Sequence, residues 1–175
     1  MSSRRPAAKG FTLLELLVVI LLIGIIANFA VLSIGSRTLS DRMETEAERI
    51  KQLIELAAEE AQVKGLNLGL IYEPEAYGFL VLGDEGIWSP YAESGPFRRR
   101  ALGEPLEIDL RVENQLVPPH NPDDEDAVVQ PQVLILSSGE VSPFELNLRA
   151  DSLDSFYHLD VDGFGRAKLS LGDPH

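Results

Sequence analysis

Between Phe11 and Ile34 the chain runs for 24 residues with a single charged side chain, Glu15. As a helix rising about 1.5 Å per residue, this stretch covers about 36 Å, enough to cross a hydrocarbon core of about 30 Å. Fifteen of its residues are Leu, Ile or Val. At about −0.3 to −0.6 kcal/mol each on insertion, they outweigh one acid costing about +2.5 to +3.5 kcal/mol. The residues therefore predict a membrane-crossing helix over 11–34 that carries its carboxylate with it. Arg4, Arg5 and Lys9 precede the run and no comparable basic cluster follows. That asymmetry predicts a cytoplasmic N-terminus, with the remainder of the chain beyond the inner membrane.

Other uses of such a run fit less well. A cleaved secretory signal has an apolar stretch of about 7 to 15 residues and a small-x-small site; this stretch is longer, and Ser33-Ile34-Gly35 is only a weak match. Arg4-Arg5 suggests twin-arginine export, but the carboxylate and the very apolar span argue against it. A plain uncleaved anchor explains the length and leaves Glu15 unexplained. Gly24, Asn28 and Gly35 also interrupt the run. Asn28 is read as a tolerated polar residue rather than an interhelical hydrogen-bonding group.

The amphipathic pattern continues beyond the apolar run. Leu39, Met43, Ala47, Ile50, Ile54, Ala57 and Ala61 recur at steps of three and four, with Glu44, Glu48, Lys51, Glu55, Glu59 and Gln62 on the other side. Glu60 and Lys64 form a favourable i,i+4 pair, and Gly65 is a C-terminal stop. With no proline between Pro6 and Pro74, helix is predicted from about Thr12 to Lys64, a length of about 80 Å. After Gly65 the period changes to two. Leu106, Ile108, Leu110 and Val112 alternate with charged residues; Phe144, Leu146 and Leu148 alternate with Glu145, Asn147 and Arg149, and Tyr157, Leu159 and Val161 with Phe156, His158 and Asp160, with shorter runs at 68–72, 77–82, 133–136 and 167–171. The fold class that follows is α+β: a long N-terminal helix, half transmembrane and half amphipathic, packed on an antiparallel β-sandwich head. The divisions read as 1–10, 11–34, 35–65 and 66–175, with a flexible acidic loop at about 118–130.

The N-terminal residues "RRPAAKG" then "FTLLE" combine a short basic leader ending in Gly10, an aromatic start at Phe11, and a glutamate five residues into the remainder. This resembles type IV prepilins and pseudopilins. The resemblance implies that a membrane prepilin peptidase cuts between Gly10 and Phe11 and methylates the new amino terminus on Phe11. It also gives Glu15 an assembly role. Cleavage creates an ammonium at Phe11, and a buried carboxylate is tolerated when an opposite charge neutralises it. Within one helix the pairing is awkward; between subunits Glu15 meets the neighbour's Phe11 amine and sets the axial register. The alternative is that Glu15 merely snorkels to the interface.

Two C-terminal stretches, "QPQVLILSSGEVSPFELNL" and "HLDVDGFGRAKLSL", resemble the minor pseudopilin H family of type II secretion (the GspH/FimT-like group). That resemblance implies a structural subunit of a periplasmic pseudopilus that supports export of folded proteins across the outer membrane. It places the chain between the tip complex of the I, J and K pseudopilins and the major-pseudopilin body. Implied partners are those pseudopilins, the prepilin peptidase, the inner-membrane assembly platform and inner-membrane lipid. A tip subunit of the K type usually lacks the glutamate, so Glu15 implies a chain stacked within the filament. The alternative is a minor pilin of a type IV pilus serving adhesion, motility or DNA uptake, often marked by a cysteine pair or a basic head. A third reading is a simple membrane-anchored receptor or enzyme.

Composition narrows the remaining chemistry. The net charge is −13 with no cysteine, so no disulfide, thiolate metal site or cysteine nucleophile is available. That acidity argues against nucleic acid as a partner, because counterion release needs clustered Lys and Arg. The one basic cluster, Phe97-Arg98-Arg99-Arg100, reads as an exposed loop or a patch matching an acidic neighbour. "NPDDED" at 121–126, with Asp123, Asp124, Glu125 and Asp126, reads as a solvated loop rather than a calcium site. "DVDG" at 160–163 reads as a hairpin turn, since it lacks a downstream bidentate glutamate. Trp88 with Tyr91 reads as core rather than as an exposed aromatic contact. His120, His158 and His175 fall in no catalytic motif, and no cofactor is expected.

Overall fold

The computed structural model describes residues 13–92, 94–124 and 128–172, with the side chains of 24–37 outside the description. Gly10, Phe11, Glu125, Asp126 and His175 also lie outside the described residues, as do the side chains of Gly24, Asn28 and Gly35. The chain divides into two compact units, Met1–Leu39 and Ser40–His175.

Helix α1 runs from Leu13 to Lys64. It stops at Gly65, whose φ of +67° is the left-handed conformation that ends a helix. Leu66 N–H then donates to the Ala61 carbonyl at 3.0 Å, a Schellman-type closure that satisfies one of the last orphan carbonyls. Among the described residues, no helix is long and apolar enough to cross a membrane. Much of the predicted span at 11–34 lies where side chains are not described.

In the Ser40–His175 unit, the predicted apolar stripe is the buried face of α1: Met43, Ala47, Ile50, Ile54, Ala57 and Ala61 are all buried. Leu39, the stripe's first member, is half-buried. Among the described residues ten strands follow, in two antiparallel sheets. The first holds β1 (Leu68–Glu73), β2 (Ala76–Leu82), β3 (Trp88–Pro90), β4 (Arg100–Ala101) and β7 (Val133–Ile135), in the order β3-β2-β1-β7 with β4 also on β2. The second holds β5 (Leu106–Val112), β6 (Gln115–Val117), β8 (Phe144–Ala150), β9 (Phe156–Val161) and β10 (Ala167–Gly172), in the order β10-β9-β8-β5-β6.

The period-two pattern explains the second sheet. Along β5 and β8, Leu106, Ile108, Leu110, Phe144, Leu146, Leu148 and Ala150 are buried, while Glu107, Arg111 and Arg149 between them are exposed. Leu110 pairs with Leu146 and Ile108 with Leu148, so the apolar positions share one face. The strand ends at β7 join the two sheets: Val141 bridges Ile135, and its N–H donates to the Gly163 carbonyl at 3.0 Å. The β9–β10 turn lies against α1, where a Cβ on Gly165 would come within 2.7 Å of the Ala58 Cβ.

All seven predicted runs are strands. The three strands that the pattern did not announce, β3, β4 and β6, are two or three residues long, too short to show a period. β6 returns from β5 through Glu113 and Asn114, both at positive φ (53° and 64°), a type I′ hairpin built without its usual glycine. Trp88 and Tyr91 correct the sequence reading. They are half-buried at the edge of the first sheet rather than in the core, because edge positions leave one flank of an amphipathic ring in water.

Replacing Ile54 by Ala removes fully buried volume between α1 and the sheets. The expected cost is about 2–5 kcal/mol of unfolding free energy, measured by urea denaturation. Leu56→Ala, on the exposed side of the same helix, is expected to cost about 0.5 kcal/mol or less.

Candidate functional site

Two constellations carry the functional argument, one in each unit. In the first, Glu15 sits in the first turn of α1, where a carboxylate complements the positive end of the helix dipole. Around it, Leu13, Leu14, Leu16, Leu17, Val18, Val19, Ile20, Leu21, Leu22 and Ile23 are 40–82% exposed. A helix apolar on every side does not rest in water; it is covered by lipid or by other helices. The same turn therefore combines an acidic group with a surface that has to be buried elsewhere.

The second constellation was not visible in the sequence. Glu46 lies on the buried face of α1, only 7% exposed. It accepts a hydrogen bond from the Tyr77 hydroxyl of β2 at 2.6 Å, and Arg100 of β4 reaches it through Nε at 2.9 Å and a second guanidinium nitrogen at 3.3 Å. Arg49, one turn along the helix, adds a third contact at 3.5 Å. A buried carboxylate is stable only when paired and hydrogen-bonded, and here β2 and β4 supply both. Burial pushes the Tyr77 phenol well above the usual range, and its bond to Glu46 pushes in the same direction.

The arginine cluster is thereby reassigned. Phe97 is buried and packs edge-on to Phe79 with ring centroids 5.2 Å apart. Arg99 pairs with Glu73, its Nε 3.0 Å from the carboxylate. Only Arg98 points to an exposed backbone partner, the Gly95 carbonyl at 2.9 Å. So "FRRR" is not simply an exposed loop: its first residue is core and two of its arginines hold acids of the same unit. At the helix end, Lys64 pairs with Glu60 at 2.6 Å as the i,i+4 spacing predicts, and the Tyr91 hydroxyl donates to Glu60 at 2.7 Å.

The remaining candidates are local structure. Asn121 Oδ1 accepts the Asp123 N–H at 3.1 Å in an exposed turn. Asp162 accepts the Phe164 and Arg166 N–H groups at 2.9 and 3.0 Å, closing the β9–β10 hairpin. His120 donates its backbone N–H to the Tyr72 carbonyl at 2.8 Å, and His158 Nδ1 lies 2.7 Å from Asn147 Oδ1. Among the described residues no group of three or more acids and histidines is placed to hold a metal ion.

Residues 5–27 match the prokaryotic N-terminal methylation motif. The fold is shared with the solution structure of GspH from Escherichia coli, at a TM-score of 0.56 and 26% identity over 75% of this chain and 89% of that one. A crystal structure of the minor pseudopilin EpsH from the Vibrio cholerae type II secretion system aligns at a TM-score of 0.61 and 23% identity, covering 78% of this chain and 97% of that one. A methylation-motif helix leading into a double-sheet head defines a type IV pilin-like filament subunit. The type II secretion system protein H of Pseudomonas aeruginosa is 37% identical over 94% of this chain and 97% of its own length. Its counterpart in E. coli is 32% identical over 79% of each chain. The chain belongs to the type II secretion system protein H family, the minor pseudopilins of that system, and the alternative of a type IV pilus subunit is not favoured.

The Glu46 cluster generates two tests. Glu46→Ala strands Arg100 and the Tyr77 hydroxyl in a partly buried site, with an expected loss of about 3 kcal/mol, read by denaturant unfolding. Because the Tyr77 phenol is raised in the folded state, its contribution is intact below the unfolded value of about 10 and is lost as pH rises above it. Stability is therefore expected to fall above about pH 10, and Tyr77→Phe should flatten that alkaline slope in thermal melts.

Proposed function

We propose that this chain is a processed, membrane-anchored subunit stacked inside the pseudopilus, with a structural rather than catalytic role. Residues 1–10 form a leader that the prepilin peptidase removes between Gly10 and Phe11, and the new Phe11 amine is methylated. Residues 11–34 hold the chain in inner-membrane lipid with the N-terminus cytoplasmic. The same residues become filament core on assembly. Residues 35–65 continue as the amphipathic helix, and residues 66–175 form the periplasmic head.

The observation that carries this reading is the single carboxylate of Glu15 in the first turn of a helix that is apolar on all sides through Ile23. In lipid or in a filament core, an acid there needs an opposite charge. The amine that cleavage creates on a neighbouring chain's Phe11 supplies it and fixes the register of stacking. The neighbours are the major pseudopilin on one side and the I, J and K tip complex on the other. Growth by the inner-membrane platform then moves folded proteins toward the outer membrane.

Glu15→Ala is expected to leave cleavage intact and to abolish incorporation into pseudopili, scored by shearing and immunoblotting. Normal incorporation of the variant would refute the register role.

A further inference from the structure

The face of the first sheet turned away from Glu46 carries a cleft of about 420 Å³. Tyr77 points to α1 through its bond to Glu46, so by the two-residue alternation Gly78 and Leu80 face the other way. With Ile71 of β1 they floor the cleft, and Trp88, Arg98 and His120 stand at its walls. Gly78 admits a close backbone approach. A Cβ there would approach the Arg99 Cα to 3.3 Å, so the residue before β4 passes close against β2.

The charge in this cleft is unlike that of the whole chain. The molecule carries −13, yet two guanidinium groups meet here. Arg99 is held by Glu73. Arg98 makes its one bond to the Gly95 carbonyl, so among the described residues no carboxylate balances it. A guanidinium beside a half-buried tryptophan and an aliphatic floor is the residue set that dominates protein interfaces, and a guanidinium takes a carboxylate in bidentate fashion. Two copies of a chain this acidic repel one another, which points to a different subunit as the occupant.

We propose that this cleft docks an acidic, apolar-flanked segment of a neighbouring pseudopilin head, with its carboxylate on Arg98 and its apolar side chain against Trp88 and Leu80. This rests on the filament-subunit reading above and adds a surface to it. The chain has no cysteine, so a single introduced thiol is a unique label. Val129 at the rim is 41% exposed, and Leu171 on β10 of the other sheet is 61% exposed. The test uses full-length Val129→Cys and Leu171→Cys proteins in detergent micelles. Each is labelled with benzophenone maleimide, mixed with each other purified pseudopilin of the same system, and illuminated.

The expected result is an adduct from Val129→Cys mapped by mass spectrometry to an acidic segment of another pseudopilin, and little from Leu171→Cys. Adding Arg98→Glu should cut the yield about tenfold or more, while Arg98→Lys retains most of it and added salt weakens it. An adduct only with a second copy, a yield indifferent to Arg98→Glu, or equal labelling from Leu171→Cys overturns the assignment. Failure here is separable from failure of the filament reading, because that reading depends on Glu15 and on cleavage at Gly10, which Arg98→Glu leaves unchanged.

Discussion

The apolar surface of α1 is the constraint on which everything else depends. From Met43 to Ala61 that surface is a stripe, and two sheets exist to cover it. From Leu13 to Ile23 it is the whole circumference, and among the described residues its Leu, Ile and Val side chains are 40–82% exposed. One helix thus faces two requirements. A stripe can be satisfied within a monomer; a full apolar circumference requires lipid or other helices. The subunit proposed above, passing between membrane and filament, would meet the second requirement in both places.

The covered half of the helix contains one expensive residue. Glu46 replaces what would be another apolar position on the stripe, and its neighbours Tyr77 and Arg100 come from strands that are distant in sequence. Such a pair contributes little net stability compared with a well-packed apolar substitute, but leaving one partner alone is costly. Its effect is to tie β2 and the two-residue β4 to one turn of the helix. β4 is only two residues long, and Ala92, Arg98 and Arg99, which line the cleft, lie between it and β3 in the chain. Arg98 lies two residues before Arg100, and its own side chain bonds outward to the Gly95 carbonyl.

Much of this was legible in the residues before any coordinates. The 3.6-residue period of Met43 to Ala61 identified the buried face, and the alternation from Leu106 to Val112 identified a central strand, because both patterns are dictated by burial of one side. The spacing of Gly10, Phe11 and Glu15 resembles a prepilin leader, and residues 5–27 match the N-terminal methylation motif. What the residues concealed depends on tertiary neighbours. Glu46 looks like one more charge on an acidic helix until Arg100, fifty-four positions on, is brought beside it. "FRRR" reads as a loop because nothing local reveals that Phe97 enters the core and that Glu73 and Glu46 receive two of the arginines. Trp88 read as core, and the edge position of a three-residue strand cannot be seen in its neighbours.

The central claim is that a lone acid in an apolar helix is matched by an amine that exists only after trimming. Intact-mass and terminal sequencing of the protein purified from its native membranes test this most directly. The account predicts a chain whose first residue is Phe11, heavier by one methyl group. A chain still starting at Met1 would lack the Phe11 amine, one shortened past Gly35 would lack Glu15 itself, and either would contradict the account.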